Sequence, residues 1–298
     1  MRLPKHVKIV EVGPRDGLQN ESRIVPTPVK CEFIDKLCHS GLSVIECTSF
    51  VSPKWVPQLS DNIFILEHVL QKNSNIQFPA LIPNLKGLEN ALTVGIKHIA
   101  VFTAASETFN QKNTNCSLTE SLNRCAEVIQ HAKKNHLSIR GYISCVLGCP
   151  YEGEIHPEIV ANIAEKLFHF GCNEISLGDT IGVGTPLKAQ KLIDLVSKKI
   201  PKKYLAVHFH DTYGQALANI FAALERGISI IDSSVNGLGG CPYARGASGN
   251  VATEDVLYML NGLGIQTNVD MDKLLLAGKF ISSHLKRLPQ SKLARVKI

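Results

Sequence analysis

Apolar and polar residues alternate along this chain in two periods that take turns. Short β-rich runs such as "VKIVEVG", "SVIECTSF", "HIAVFTAAS", "SIRGYISCVLG" and "LAVHFHD" are each followed by a longer segment with helical spacing. The first such segment, "TPVKCEFIDKLCHSG", offers Thr27 as N-cap, Pro28 at the first helical position and Gly41 as a stop. The helix opening "SLTESLNRCAEVIQHAKK" has Ser117 and Glu120 at capping-box spacing. Read through to "ATEDVLYMLNGLG", the pattern predicts eight strand–helix units. Strands alternating with helices of this length make parallel βαβ units. Eight in an unbroken series favour a closed (β/α)8 TIM barrel over an open doubly wound sheet. The chain is therefore read as one domain over residues 1–298, with a barrel at roughly 7–264 and a helical extension at roughly 268–298. Within that extension an amphipathic stretch from Met271 to Arg287 is expected to cap the barrel or pair with another subunit. A homodimer is the expected assembly.

Composition narrows the class. The chain has 44% hydrophobic and 19% charged residues, ordinary values for a large-cored globular protein. A net charge of +6 suits either an anionic ligand or a mildly basic solvated surface. It comes without a Lys/Arg block, so no nucleic-acid partner is expected. No apolar run reaches spanning length, so no membrane partner is expected. Nine scattered cysteines point to free thiols in a reducing compartment, and Cys145 and Cys149 lack the second pair a structural zinc site needs. A cytoplasmic protein of a bacterial cytosol is favoured, and a mitochondrial protein stripped of its leader reads the same way.

In such barrels chemistry collects where strands end. There stand Arg15 and Asp16 after the first strand, Glu46 in the second, Asp179 after the sixth, His208 and His210 at the seventh, and Cys241 and Asn250 after the eighth. Alternation along a strand points His208 and His210 the same way. With oxygen from Asp16 and Asn250 they make a mixed N,O set suited to Mg²⁺ or Mn²⁺, with Co²⁺ or Zn²⁺ as further options. The competing reading packs one histidine and bonds the other to Asp211, which is otherwise a supporting partner. Cys241 lies in the glycine-dense "GLGGCPYARGASGN", either an active rim loop carrying a thiol acid–base or a tight turn with an incidental cysteine. Arg15 is suited to polarising a carbonyl or stabilising an enolate, or else forms a surface pair with Asp16. Glu46, costly to bury alone, is expected to have a partner inside the barrel.

The stretches "EVGPRDGLQNE", "SFVSPKWVPQ", "GCPYEG", "EISLGDTIGVGTP", "AVHFHDTYGQALAN" and "GLGGCPYARGASGNVATED" together resemble the 3-hydroxy-3-methylglutaryl-CoA (HMG-CoA) lyase family, from about Pro4 to Gly264. The Arg–Asp pair and His-x-His alone also fit isopropylmalate synthase, homocitrate synthase or a ketovalerate aldolase, and the Cys241 loop is the discriminating feature. The resemblance implies a CoA thioester substrate, a divalent metal and retro-Claisen cleavage to acetyl-CoA and acetoacetate. It implies a metal at Asp16, His208 and His210 with Asn250 in or near the set. It further implies an enolate-stabilising Arg15, proton delivery by Cys241, and Glu46 and Asp179 as supporting groups. A silent barrel serving as a scaffold is the alternative from another class. Asn236 departs from the small residue expected in "SSVNGLGG", which bears on loop packing rather than chemistry.

Overall fold

A computed structural model describes residues 3–72, 75–240 and 249–297. Nine parallel strands form one sheet: β1 (Lys8–Glu11), β2 (Val44–Ile45), β3 (Thr48–Ser49), β4 (Ala80–Leu81), β5 (His98–Ala104), β6 (Ser138–Ser144), β7 (Glu174–Asp179), β8 (Leu205–Phe209) and β9 (Ile230–Ser233). Their order is β2-β1-β9-β8-β7-β6-β5-β4-β3. The two ends, β2 and β3, are separated in the chain only by Glu46 and Cys47. They are halves of the single strand predicted over "SVIECTSF", so the sheet curls round and closes as a TIM-barrel-type fold of parallel α/β units.

The helices are α1 (Thr27–His39), α2 (Asn62–Leu70), α3 (Leu85–Thr93), α4 (Glu107–Thr114), α5 (Leu118–Lys134), α6 (Pro157–Phe170), α7 (Pro186–Val196), α8 (Ala216–Glu225), α9 (Thr253–Gly262), α10 (Met271–Leu285) and α11 (Lys292–Val296). Among the described residues no helix is long and apolar enough to cross a membrane. Helix α5 carries the predicted capping box, with Ser117 and Glu120 each bonded to the other's backbone. Helix α1 differs from expectation. Pro26 occupies the cap position, and Thr27 instead donates its hydroxyl to Asp61 Oδ2 at 2.7 Å. That hydroxyl ties α1 to the segment before α2, a long-range partner that local spacing does not encode.

Strand alternation sorts side chains into two cores. Ile9, Val207 and Ile231 join the large core beneath the helices, whereas Val10, Ala206 and Ile230, their chain neighbours, pack in a small separate cluster inside the barrel. Above that inner cluster the lining turns polar. Arg140, Ser176, His208 and Asp232 are all buried there.

Asn236, the departure noted in the sequence, is the joint between barrel and C-terminal helix. It is buried with φ of 56°, a left-handed backbone that Asn tolerates better than most residues. Its N–H donates to both Glu254 carboxylate oxygens at 2.9 Å, and its Nδ2 donates to the Gly278 carbonyl at 2.6 Å and Ser282 Oγ at 2.7 Å on α10. A Cβ at residue 278 would lie 2.6 Å from Asn236 Oδ1, so this close approach requires glycine.

Burial pushes the Glu254 carboxyl up to about 8 and the Glu11 carboxyl up to about 7. Both pKa values are raised above the unfolded value of 4.5, so the protonated forms favour the fold. Their contribution is complete below 4.5 and is lost as pH rises through about 7 to 8. Thermal midpoints are expected to fall over that window. Glu254→Gln, neutral throughout, is expected to flatten the slope, and an unchanged slope in calorimetry would remove this account.

Candidate active site at the C-terminal mouth of the barrel

The loop after β1 runs through a single π-helical turn, Gly13–Gly17, that sets Arg15 and Asp16 over the barrel mouth. Glu11 organises that turn, its Oε1 accepting from Gly13 N at 2.8 Å and Val235 N at 2.9 Å, and its Oε2 accepting from the Thr253 hydroxyl at 2.7 Å. Glycine at 13 and 17 allows the turn to sit close to Glu11, Ser234 and Leu238, for an added Cβ would come within 2.6 Å and 2.8 Å of neighbours.

Arg15 is buried between two carboxylates. Its Nε and Nη2 lie 2.8 Å and 2.7 Å from Glu46 Oε2, and its Nη1 lies 2.8 Å from Asp16 Oδ1. Burial alone would disfavour the guanidinium charge; Glu46 and Asp16 outweigh it and raise the Arg15 pKa. Glu46 thus finds the interior partner its position demands. Its Oε2 also accepts from the Tyr142 hydroxyl at 3.2 Å. Burial nonetheless raises the Glu46 pKa, with Arg15 holding part of the shift back.

Asp16, His208 and His210 converge, each offering a ligand atom within 4.8 Å of the others. The two imidazole rings are 5.4 Å apart, with Phe209 between them in sequence facing the helix layer. Burial would lift the Asp16 carboxyl, but Arg15, both histidines and an Asn250 hydrogen bond bring it down to about 2. His208 Nδ1 lies 3.3 Å from Asp232 Oδ2. Burial disfavours the charged His208 ring, yet Asp232 and Asp16 leave its pKa raised. Burial, then the neighbouring His208, lower His210 to about 4, so it stays a neutral imidazole at neutral pH. His210 Nδ1 is buried without a hydrogen-bond partner among the described residues. A neutral imidazole with an orphaned nitrogen, a second imidazole held from behind by a carboxylate, and an ionised aspartate are a donor set that fits a divalent metal.

Asn250 meets this cluster through Asp16, donating Nδ2 to Asp16 Oδ2 at 2.7 Å and to the Leu238 carbonyl at 3.2 Å. Asp179 stands apart. It is fully buried, and its carboxylate accepts from Val183 N at 3.2 Å and Gly184 N at 2.8 Å, bracing the loop after β7 rather than lining the cavity. Burial raises its pKa to about 6 against those backbone bonds. Asp211 caps the next helix, accepting from Ala216 N at 3.0 Å. Cys241 lies outside the described residues.

Three participants are absent from the sequence reading: Arg140, Tyr142 and Asp232. Arg140 grips Asp232 with Nη1 at 3.1 Å and Nη2 at 2.5 Å, donates to the Tyr142 hydroxyl at 2.9 Å, and has Glu174 2.8 Å from its Nε. Ser176 Oγ donates to Asp232 Oδ2 at 2.8 Å. Burial works against the Asp232 charge, but Arg140 and His208 hold its pKa below the usual range. The available signal was a charge inside a β-rich run, in "SIRGYIS" and "SIIDSS", the same signal that marked Glu46. Because a carboxylate behind a ligating imidazole orients it and raises its basicity, Asp232→Asn is expected to weaken Mn²⁺ binding by ~10–100-fold. Titration calorimetry tests this, and wild-type affinity in the variant would dismiss the role.

Around the cluster opens a cavity of about 770 Å³, lined by Arg15, Asp16, Tyr142, His208 and His210 at its base and Trp55 at its rim. That volume suits a substantial organic ligand.

A closed parallel barrel whose strand C-termini present an Asp–His–His cluster beside a buried guanidinium has the architecture of a TIM-barrel enzyme, with a candidate divalent-metal site at its mouth. The HMGL-like family model matches residues 6–281, and the chain belongs to that family. It is 59% identical to mouse "Hydroxymethylglutaryl-CoA lyase, mitochondrial" over 293 residues, covering 98% of this chain and 90% of the relative. The crystal structure of hydroxymethylglutaryl-CoA lyase from Pseudomonas aeruginosa superposes with a TM-score of 0.97 at 53% identity, covering 100% of this chain and 99% of the other. An HMG-CoA lyase from Acinetobacter baumannii in complex with coenzyme A and 3-methylmalate superposes with a TM-score of 0.92 at 35% identity, covering 98% and 95%.

Proposed function

We propose that this chain cleaves 3-hydroxy-3-methylglutaryl-CoA to acetyl-CoA and acetoacetate by a retro-Claisen reaction. The observation that carries the reading is the Asp16–His208–His210 cluster beside Arg15 at the base of a 770 Å³ cavity, in a chain 59% identical to a lyase of that name. A divalent cation there, Mg²⁺ or Mn²⁺, would supply Lewis acidity toward the substrate hydroxyl.

The residues divide the remaining work. Asp16, His208 and His210 would hold the cation, with Asn250 in or near the set through its bond to Asp16. Asp16, ionised down to about pH 2, is available to take the hydroxyl proton. Arg15, kept charged and rigid by Glu46, faces negative charge building on the thioester oxygen as the carbon–carbon bond breaks. Glu46 supports through Arg15, and Asp179 through the loop after β7. Cys241 is assigned proton delivery to the acetyl carbon. Its support is its place in "GLGGCPYARG", two residues beyond Gly239, whose added Cβ would lie 2.9 Å from Asn250 Nδ2. A reducing cytosol and a homodimer belong to the same reading; all eight described cysteines are free thiols, and Ile63 and Phe64 on α2 leave apolar surface for a partner.

Incubation with HMG-CoA and Mg²⁺ or Mn²⁺ tests the reaction. Release of acetoacetate is expected. Its absence, with condensation of acetyl-CoA onto a 2-keto acid instead, would assign the barrel to the synthases.

A further inference from the structure

Helix α10 ends at Leu285, and Lys286, with φ of 54°, turns the chain back. The next residue, Arg287, carries a guanidinium that joins two loops at the mouth. Its Nη1 pairs with Glu21 Oε1, and its Nη2 donates to the Gly237 carbonyl at 3.3 Å. Glu21 lies in the same β1–α1 connection as Arg15 and Asp16, and the two residues before it, Gln19 and Asn20, line the cavity. Gly237 precedes Leu238, whose carbonyl accepts from Asn250 Nδ2 at 3.2 Å, and Asn250 in turn donates to Asp16 at 2.7 Å. The contacts close a ring: Arg287, Glu21, the loop back to Asp16, Asn250, Leu238, Gly237 and Arg287 again. The same segment reinforces the Gly237 side, with Gln290 N donating to the Asn236 carbonyl at 2.9 Å.

We propose that Arg287 is a positioning residue for substrate binding, holding the Gln19–Asn20 wall of the cavity, through Glu21, at a fixed distance from Gly237 and Leu238. It touches no reacting group, and it rests on reading this cavity as the CoA thioester site. A planar fork spans two acceptors at once, which a lysine ammonium on a flexible stem does not reproduce. Arg15 and Asp16 have their own anchor in Glu46, so release of the wall loosens binding more than chemistry.

The test compares wild type, Arg287→Met, Arg287→Lys and Glu21→Gln by steady-state kinetics on HMG-CoA, thermal midpoint, and amide exchange over residues 18–22. Arg287→Met is expected to raise KM about tenfold with kcat changed less than about threefold, the pattern of lost binding rather than lost transition-state stabilisation. Arg287→Lys, keeping the Glu21 pair alone, is expected to fall between, and exchange at 18–22 to quicken in Arg287→Met and Glu21→Gln. A lowered midpoint with unchanged KM in Arg287→Lys and Glu21→Gln would reduce Arg287 to a structural tie and overturn the proposal. If wild type does not cleave HMG-CoA, the lyase reading fails by itself, and unchanged exchange at 18–22 in Arg287→Met and Glu21→Gln then overturns the clamp separately.

Discussion

Asp16→Asn is expected to lower kcat by ~10³-fold or more, because general-base loss alone costs ~10²–10⁴-fold and the same change strips an anionic ligand from the metal. Asp16 sits where every interaction favours its ionised form except burial: Arg15 at 2.8 Å, His208 at 3.9 Å and the Asn250 amide at 2.7 Å. The amide variant keeps the shape and loses the charge. Two readouts separate its roles. Mn²⁺ affinity should fall at least tenfold by titration, and saturating Mn²⁺ should restore only part of kcat. Full restoration of kcat would leave Asp16 as a ligand and nothing more; unchanged Mn²⁺ affinity would remove it from the metal set.

The second large effect belongs to Arg15. Arg15→Met is expected to lower kcat by ~10²–10³-fold with little change in KM, the signature of a group that acts on charge present only in the transition state. The same substitution leaves Glu46 as a buried carboxylate with the Tyr142 hydroxyl as its remaining partner, a loss on the order of 3–5 kcal/mol for a broken buried pair. The double variant Arg15→Met/Glu46→Gln removes that stranded charge. It is expected to recover thermal stability without recovering turnover. Recovery of both together would mean that Arg15 serves the fold and not the reaction.

Much of this site was legible because barrel topology converts sequence position into spatial position. Asp16 and Asn250 are 234 residues apart, yet Arg15, Asp16, His208, His210 and Asn250 all stand at or just beyond the end of a β-rich run, and the barrel brings all such ends to one rim. The His-x-His spacing gave one-sided imidazoles through strand alternation, and the rings are adjacent. Glu46 was legible as a carboxylate needing a partner, and the partner is Arg15.

The missed parts depend on register rather than on rim position. Asp232 reaches His208 because β8 and β9 pair them directly, Val207 with Ile231 and His208 with Asp232. Arg140 reaches Asp232 across the barrel, 92 residues away, a contact that no local spacing encodes. Asp179 stands at the expected rim position, and its carboxylate turns to the backbone of the following loop, partners that strand position alone does not specify. Helix α4, Glu107–Thr114, escaped notice because "ETFNQKNT" is mostly polar and has little helical periodicity of its own; a Ser106 side-chain cap on Phe109 N starts it. Asn236 stands where a small residue is expected in "SSVNGLGG", and only the packing of α10 shows what it holds.

One divalent cation held by Asp16, His208 and His210 is the group proposed to make this barrel a carbon–carbon lyase. The most direct measurement follows both products by proton NMR from HMG-CoA, before chelation, after exhaustive chelation, and after Mn²⁺ is returned. Acetyl-CoA and acetoacetate are expected in equal amounts, with loss of both on chelation and recovery of both when the metal returns. Equal cleavage by the chelated, metal-free protein, or consumption of HMG-CoA without acetoacetate, would contradict it.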